Sequence, residues 1–266
     1  MTIITSAIPG TVLALAAFSK KALTTPGIIL AWFLCLLITV SGGIPAFVIL
    51  AETFVFTVLA DRIAGACSDP YGVRKRAGVR GTASVICNVG IGSFIMLLKL
   101  LTGNIRFLAV YAAVMAESLA DSAASKIGPL SKSGPIDIGT FKRTRKGLSG
   151  GVTLLGSIFE LAGASVIALT FFLFSLLQSQ TDPPRALIDA AIIASCGFAG
   201  AMFDSLLGSL LQVKFRCPQC GAITEKEMHC GKETVRISGI RSINNDCVNL
   251  LSSAFTALIS AALLIQ

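Results

Sequence analysis

The sequence predicts an all-α, polytopic membrane protein of about eight transmembrane helices, with a small zinc-knuckle-like loop on the cytoplasmic side. Three observations predict it. Of the 266 residues, 54% are hydrophobic and only 14% charged, whereas a soluble domain is about 25% charged. Mean hydropathy is +0.80. Apolar runs near the roughly 17–25 residues needed to span a bilayer recur along the chain. Of the 22 Lys and Arg, all but Lys99, Arg106 and Arg185 fall in four alternate loops, the positive-inside pattern.

The first run, 3–18, ends at Lys20 and Lys21 without a small-residue cleavage site, so it reads as a retained span. Runs 26–42 and 44–60 follow, then a loop with Arg62, Arg74, Lys75, Arg76 and Arg80. Runs 83–101 and 104–120 lead into the basic stretch that ends at Lys146. Runs 151–177 and 187–211 precede a basic loop, 212–244, and 249–265 closes the chain. Residues 1–266 thus read as one integral domain with 212–244 as an insert. The charge pattern places both termini outward and the basic loops in the cytoplasm, as in a multi-pass protein of the cell membrane. The net charge of +8 is a topology signal. Its bases are spread over four loops, so the bilayer is the expected partner and nucleic acid is not.

Ionisable groups inside a bilayer are costly and mark function. Glu52, Glu117, Glu160, Asp189 and Asp204 fall within predicted spans, and Asp121 and Asp246 at cytoplasmic span ends. Glu117 and Asp121 are four apart and share a helix face. Acids at one depth can hold a divalent metal, and Asp121 and Asp204 are the leading candidates, with Glu117 and Glu160 beside them. The alternative is interhelical hydrogen bonding or snorkelling. Asp189, at the outer end, reads as a packing residue. Asn88 lies early in its span near Arg76 and Arg80; it is either helix glue or part of the site. Asn245, Asp246 and Asn249 sit at the mouth of the last span, where they cap the helix or give magnesium the hard oxygens it prefers.

The stretch from Asp121 to Lys146, followed by GLSGG, has the parts of a phosphate site. Lys142, Arg143, Arg145 and Lys146 can neutralise phosphate oxygens. Gly147, Ser149, Gly150 and Gly151 can bring backbone N–H groups close to an anion.

The eight cysteines do not form a disulfide framework. Cys35, Cys67, Cys87 and Cys196 read as small buried residues. Cys217, Cys220, His229 and Cys230, in CPQC and HC, resemble half of a zinc signature. Reduced thiols without metal are the alternative in a cytoplasmic loop. Adjacent His229 and Cys230 are an awkward pair for one ion.

In order along the chain, KKALTTPGIILA, RKRAGVRGTASVICNVG, ADSAASKIGPLSK, GTFKRTRKGLSGGVTLLG, GFAGAMFDSLLGSLLQ and NNDCVNLLSSAFTALIS resemble the phytyl-phosphate kinase family of integral membrane proteins. The resemblance implies a membrane kinase that uses a nucleoside triphosphate to convert a prenyl monophosphate to its diphosphate. Asp121, Asp204 and Asp246 would then hold Mg²⁺. Lys142, Arg143, Arg145 and Lys146 would bind the donor phosphates, and Arg76 and Arg80 the acceptor phosphate. Zinc in the insert would be structural. The chain departs from the family at Lys126, where relatives usually carry an acid. A more distant similarity to phosphatidate cytidylyltransferases and dolichol-kinase-like proteins suggests CTP as donor. A carrier or flippase for anionic lipids and a CTP-dependent cytidylyltransferase are the other readings.

Overall fold

The computed structural model describes residues 3–19, 22–66, 81–179 and 181–265. Lys20, Lys21, Cys67, Arg74 and Lys75, and the acceptor-phosphate candidates Arg76 and Arg80, lie outside the described residues. The helices are α1 (Ile3–Ser19), α2 (Thr25–Ala66), α3 (Thr82–Thr102), α4 (Phe107–Ile127), α5 (Leu154–Leu177), α6 (Pro183–Leu210) and α7 (Asn245–Leu264). All but α1 are long and apolar enough to cross a membrane.

The predicted runs 26–42 and 44–60 form one 42-residue helix interrupted at Gly43, which has φ 65° and ψ −154°. Glycine tolerates the left-handed region, and Pro45 cannot donate a helical hydrogen bond, so the ladder breaks there. Trp32 and Cys35 of the first arm line the same cavity as Thr53 and Thr57 of the second. The arms therefore fold back side by side. Laid end to end at 1.5 Å per residue they would cover about 60 Å, twice the roughly 30 Å hydrocarbon core.

The buried centre is α4, which packs against α2, α3, α5, α6 and α7. Small side chains let its neighbours in. A Cβ on Gly197 of α6 would lie 2.7 Å from the Ala116 Cβ, and one on Gly163 of α5 only 3.2 Å from the Ala120 Cα. Close backbone approach of this kind is how helices associate in lipid. Phe18, Phe33, Leu101, Leu173 and Leu258 stay exposed on the outside of the bundle, where acyl chains would cover them.

At one end of the bundle lie the starts of α4 and α6 and the ends of α3 and α7. Arg106 donates a fork to Asp189, at 2.7 and 3.0 Å, and its Nε to the Leu264 carbonyl at 2.7 Å. Arg185 adds a bond to Asp189 at 3.1 Å. Lys99 reaches the Ser41 carbonyl at 2.7 Å. The three bases outside the basic loops are thus all used in packing, as is Asp189.

The other end carries the basic stretch and the insert. Here α4 runs to Ile127, seven residues past the predicted 104–120. Its last turns, DSAASKI, contain no helix breaker before Gly128 and Pro129. Asp121 and Lys126 are therefore helical. The predicted capping role at Asn245 and Asp246 belongs to the residue before them: the Asn244 side chain accepts from the Cys247 N–H at 3.0 Å. Beyond α4, β1 (Ile136–Asp137) pairs antiparallel with β2 (Gly151–Val152). The insert is a small β structure. Strands β3 (Lys214–Arg216), β4 (Ile223–Thr224) and β7 (Val235–Ser238) form a sheet in the order β4-β3-β7, and β5 (Met228–His229) pairs with β6 (Lys232–Glu233).

Candidate functional site

Five helices bring polar groups together one to three turns in from the insert end. Glu117 on α4 is 2% exposed. It accepts from Ser252 at 2.7 Å and from Ser253 at 2.8 Å, both on α7. The same Ser252 hydroxyl lies 3.1 Å from Asp204 Oδ2 on α6. Asp121, one turn beyond Glu117, is within electrostatic reach of Glu117, Glu160 and Asp204. Glu160 on α5 is buried, and its Oε1 has no hydrogen-bond partner among the described residues. The Asn88 amide of α3 and the Asn249 amide of α7 meet at 3.3 Å. With the Asn249 amide turned over, its nitrogen donates instead to Asp204 at 3.2 Å and to the Asn245 carbonyl at 3.0 Å.

The residue types of this donor set suit a divalent metal. A hydroxyl has one hydrogen, yet Ser252 stands between two carboxylate oxygens. Glu160 adds an unsatisfied buried oxygen. Among the described residues, the charged partners acting on Asp204 are Asp121, Glu117 and Glu160, all acids. Carboxylates crowded together favour the binding of a cation, and carboxylate oxygens are the ligands magnesium takes. Asp246 sits apart, on the first turn of α7 within reach of Cys87 on α3. Glu52 also lies elsewhere, accepting from Thr170 of α5 at 2.8 Å.

The glycine turn packs on the last turn of α6. Gly150 is left-handed, φ 87°, and a Cβ there would collide with Ser209 at 2.5 Å. One on Gly208 would lie 3.0 Å from Ser149. Ser209 is five residues past Asp204, about 7 Å along the axis, so turn and acids share one scaffold. Asp137 anchors the loop. Its Oδ1 accepts from the Ser209 hydroxyl at 2.6 Å and from the N–H and hydroxyl of Thr140, both at 2.9 Å. Burial alone would raise its carboxyl, but the bonds from Ser209 and Thr140, with Lys214 nearby, outweigh it and hold the group below its ordinary value.

An anion already sits at the turn. The Ser149 N–H donates to Glu225 of the insert at 2.9 Å, and so does its hydroxyl. Lys142, Arg143 and Arg145 are exposed, whereas Lys146 is half-buried and donates to the Ser131 carbonyl. The Gly151 N–H is committed to the Leu148 carbonyl at 3.2 Å. The bases thus ring the turn, while Ser149 and the left-handed Gly147 and Gly150 shape it.

In the insert, the ligand atoms of Cys217, Cys220, His229 and Cys230 lie within 4.8 Å of one another. The Cys220 and Cys230 sulfurs are 3.8 Å apart, the separation expected for two Zn–S bonds of about 2.3 Å in a tetrahedron. His229 Nδ1 is 3.5 Å from Cys220 and 3.2 Å from Cys230. The awkward neighbours are reconciled by the β5–β6 turn. Cys230 and Gly231 have φ 53° and 72°, two successive left-handed residues as in a tight hairpin. A cysteine held in that region is strained, a mark of a functional position. Backbone N–H of Cys220, with the His229 side chain, brings the Cys217 thiol down to about 6. The shared proton leaves Cys230, bonded to Cys220, pushed up to about 11.

Several contributing residues escaped the sequence reading. Ser252 and Ser253 stood out only as a polar pair inside an apolar run. Glu225, Asp137 and the Asp61–Lys126 ion pair at 2.6 Å depend on contacts between distant segments and left no local signal.

Over residues 8–257 the chain matches the family described as Integral membrane protein DUF92, and it belongs to that family. It is similar to Protein PGR of Arabidopsis thaliana, with 29% identity over 204 residues that cover 70% of each chain. No solved structure matches.

Proposed function

We propose that this member of the DUF92 integral membrane family is a kinase that transfers a phosphoryl group from a nucleoside triphosphate, CTP or ATP, to a prenyl monophosphate. The observation that carries the reading is the proximity of Glu117, Asp121, Glu160 and Asp204, two of them buried, on a scaffold joined to a glycine turn through α6. Magnesium held by Asp121, Asp204 and Glu117 would neutralise the transferring phosphoryl group. Ser149 and the bases Lys142, Arg143, Arg145 and Lys146 would bind the donor phosphates. An acceptor phosphate oxygen attacks the γ-phosphorus, the bond to the β-phosphate oxygen breaks, and the nucleoside diphosphate leaves. The acceptor is already ionised, so no general base is needed, in keeping with a chain whose single histidine lies in the insert.

If the short α1 also crosses and the two arms of α2 cross separately, the chain would make eight crossings of the cell membrane. The insert end is then cytoplasmic, where nucleotide is found, and both termini face outward. Zinc in the insert would stabilise its fold locally. Against a carrier stands the ion-paired end around Arg106 and Asp189, where both Arg106 and Arg185 are engaged by the Asp189 carboxylate.

Purified protein given labelled CTP or ATP, magnesium and prenyl monophosphates should release the nucleoside diphosphate and form prenyl diphosphate. Release of pyrophosphate with a nucleotide-linked lipid would identify a cytidylyltransferase. Transport across vesicles without turnover would identify a carrier. Either result overturns the kinase.

A further inference from the structure

A cavity of about 410 Å³ lies between α1, both arms of α2, α3 and α4. Its wall changes along its length. At the insert end it is lined by Asp61, Arg62, Ser84, Asn88 and Ser122. Asp61 is held there by Lys126 of α4 at 2.6 Å, so two cations, Arg62 and Lys126, stand at that rim. Deeper in, the wall is apolar and includes Leu50, Val89 and Met115. The floor, at mid-bundle, is Gly10 of α1 against Trp32 and Cys35. A Cβ on Gly10 would lie 3.5 Å from the Cys35 sulfur and 3.6 Å from the Trp32 ring. The Trp32 indole is pinned by its N–H, which donates to Thr11 at 3.1 Å. The polar end lies beside the acid cluster: Asn88 lines the cavity and its amide meets that of Asn249.

We infer that this cavity holds the hydrocarbon tail of a single-chain lipid phosphate, with its headgroup at the Asn88, Arg62 and Lys126 rim, and that Gly10, Trp32 and Cys35 set the longest tail it admits. The inference rests on the proposed function for what the headgroup does there. The occupant follows from the shape: an apolar tube half a membrane deep, with cations at one end only, matches one chain carrying one anion. Lys126 gains a role on this basis. It is the cation that holds Asp61 at the mouth and that an incoming phosphate would meet.

The test is equilibrium binding of labelled geranyl, farnesyl and geranylgeranyl monophosphate to the full-length protein in nanodiscs, without nucleotide. Gly10→Leu raises the floor, so it should weaken the longest chain by roughly tenfold relative to the shortest, the burial of one or two methylene groups lost. Trp32→Ala lowers the floor and should shift the preference toward longer chains. Leu173→Ala, on the exposed face of α5, should change neither. Should Gly10→Leu fail to fold, Trp32→Ala decides alone. An unchanged ratio of long-chain to short-chain affinity in the folded variants would overturn the inference. Binding that follows this pattern without any turnover overturns the kinase and leaves the cavity standing. Turnover whose chain preference neither variant moves leaves the kinase and removes the cavity.

Discussion

Buried carboxylates at the two ends of this bundle are satisfied in opposite ways. Asp189 is fully buried, and both its oxygens are met by guanidinium groups, from Arg106 and Arg185. Glu117 is equally buried, yet its partners are the neutral hydroxyls of Ser252 and Ser253. Asp204 shares one of those hydroxyls, and one Glu160 oxygen has no hydrogen-bond partner among the described residues. A charge in a bilayer costs about 2.5–3.5 kcal/mol even by the lenient scale. One end offsets that cost from within the chain. The other meets its carboxylates with hydroxyls, which on the proposed reading leaves them to bind a cation.

The comparison breaks most decisively at Asp204. Asp204→Asn keeps the size and removes the charge; prenyl-phosphate turnover should fall by about a thousandfold or more, since a metal contact in a dry site is worth several kcal/mol. Asp121→Asn should resemble it. Full turnover with ordinary magnesium dependence would reduce both acids to helix-packing residues. At the opposite end the loss should be one of stability. Arg106→Ala leaves Asp189 to Arg185 alone, and weakening a buried pair in this way costs up to roughly 3–5 kcal/mol, read as a lower midpoint of unfolding in detergent. Activity per folded molecule should hold; a selective loss of activity would show that the outer end belongs to the site.

Smaller effects sharpen the contrast within the insert end. Cys217→Ser should lower bound zinc, measured by metal analysis after chelator-free purification, and raise hydrogen exchange from 212 to 244. Activity should fall only in part. Wild-type protein that carries no zinc would leave these thiols merely reduced. Asp137→Asn should cost about 1 kcal/mol through weakened hydrogen bonds. The wild-type carboxyl is depressed on folding, so its advantage is present above the ordinary carboxylate value, about pH 4. It is lost as pH falls through the folded value. Unfolding compared at neutral and acid pH should show the gap closing only in acid.

The helices were legible because a bilayer permits few other backbones: each apolar run became helix, and the Gly43–Pro45 break fell between two predicted runs. The acids were legible as costly exceptions inside those runs, and Glu117 and Asp204 meet across Ser252. What hid was pairing across long separations. Nothing near Asn88 announces Asn249, and nothing near Ser149 announces Glu225. The continuation of α4 through Asp121 was hidden for another reason: a polar sequence looked like a loop, although its Ala and Ser residues suit a helix that leaves the hydrocarbon. The insert's strands are too short to show an alternating pattern.

The Glu225 carboxylate on Ser149 has a consequence for occupancy. A phosphate entering that turn must first expel it, so docking of the insert and loading of donor are mutually exclusive on the proposed reading. The insert then acts as a tethered competitor at high local concentration. It lowers apparent donor affinity by the fraction of molecules in which the latch is shut. On that reading, anything that loosens the insert, including the loss of a metal bound there, would tune donor affinity without touching a group of the acid cluster.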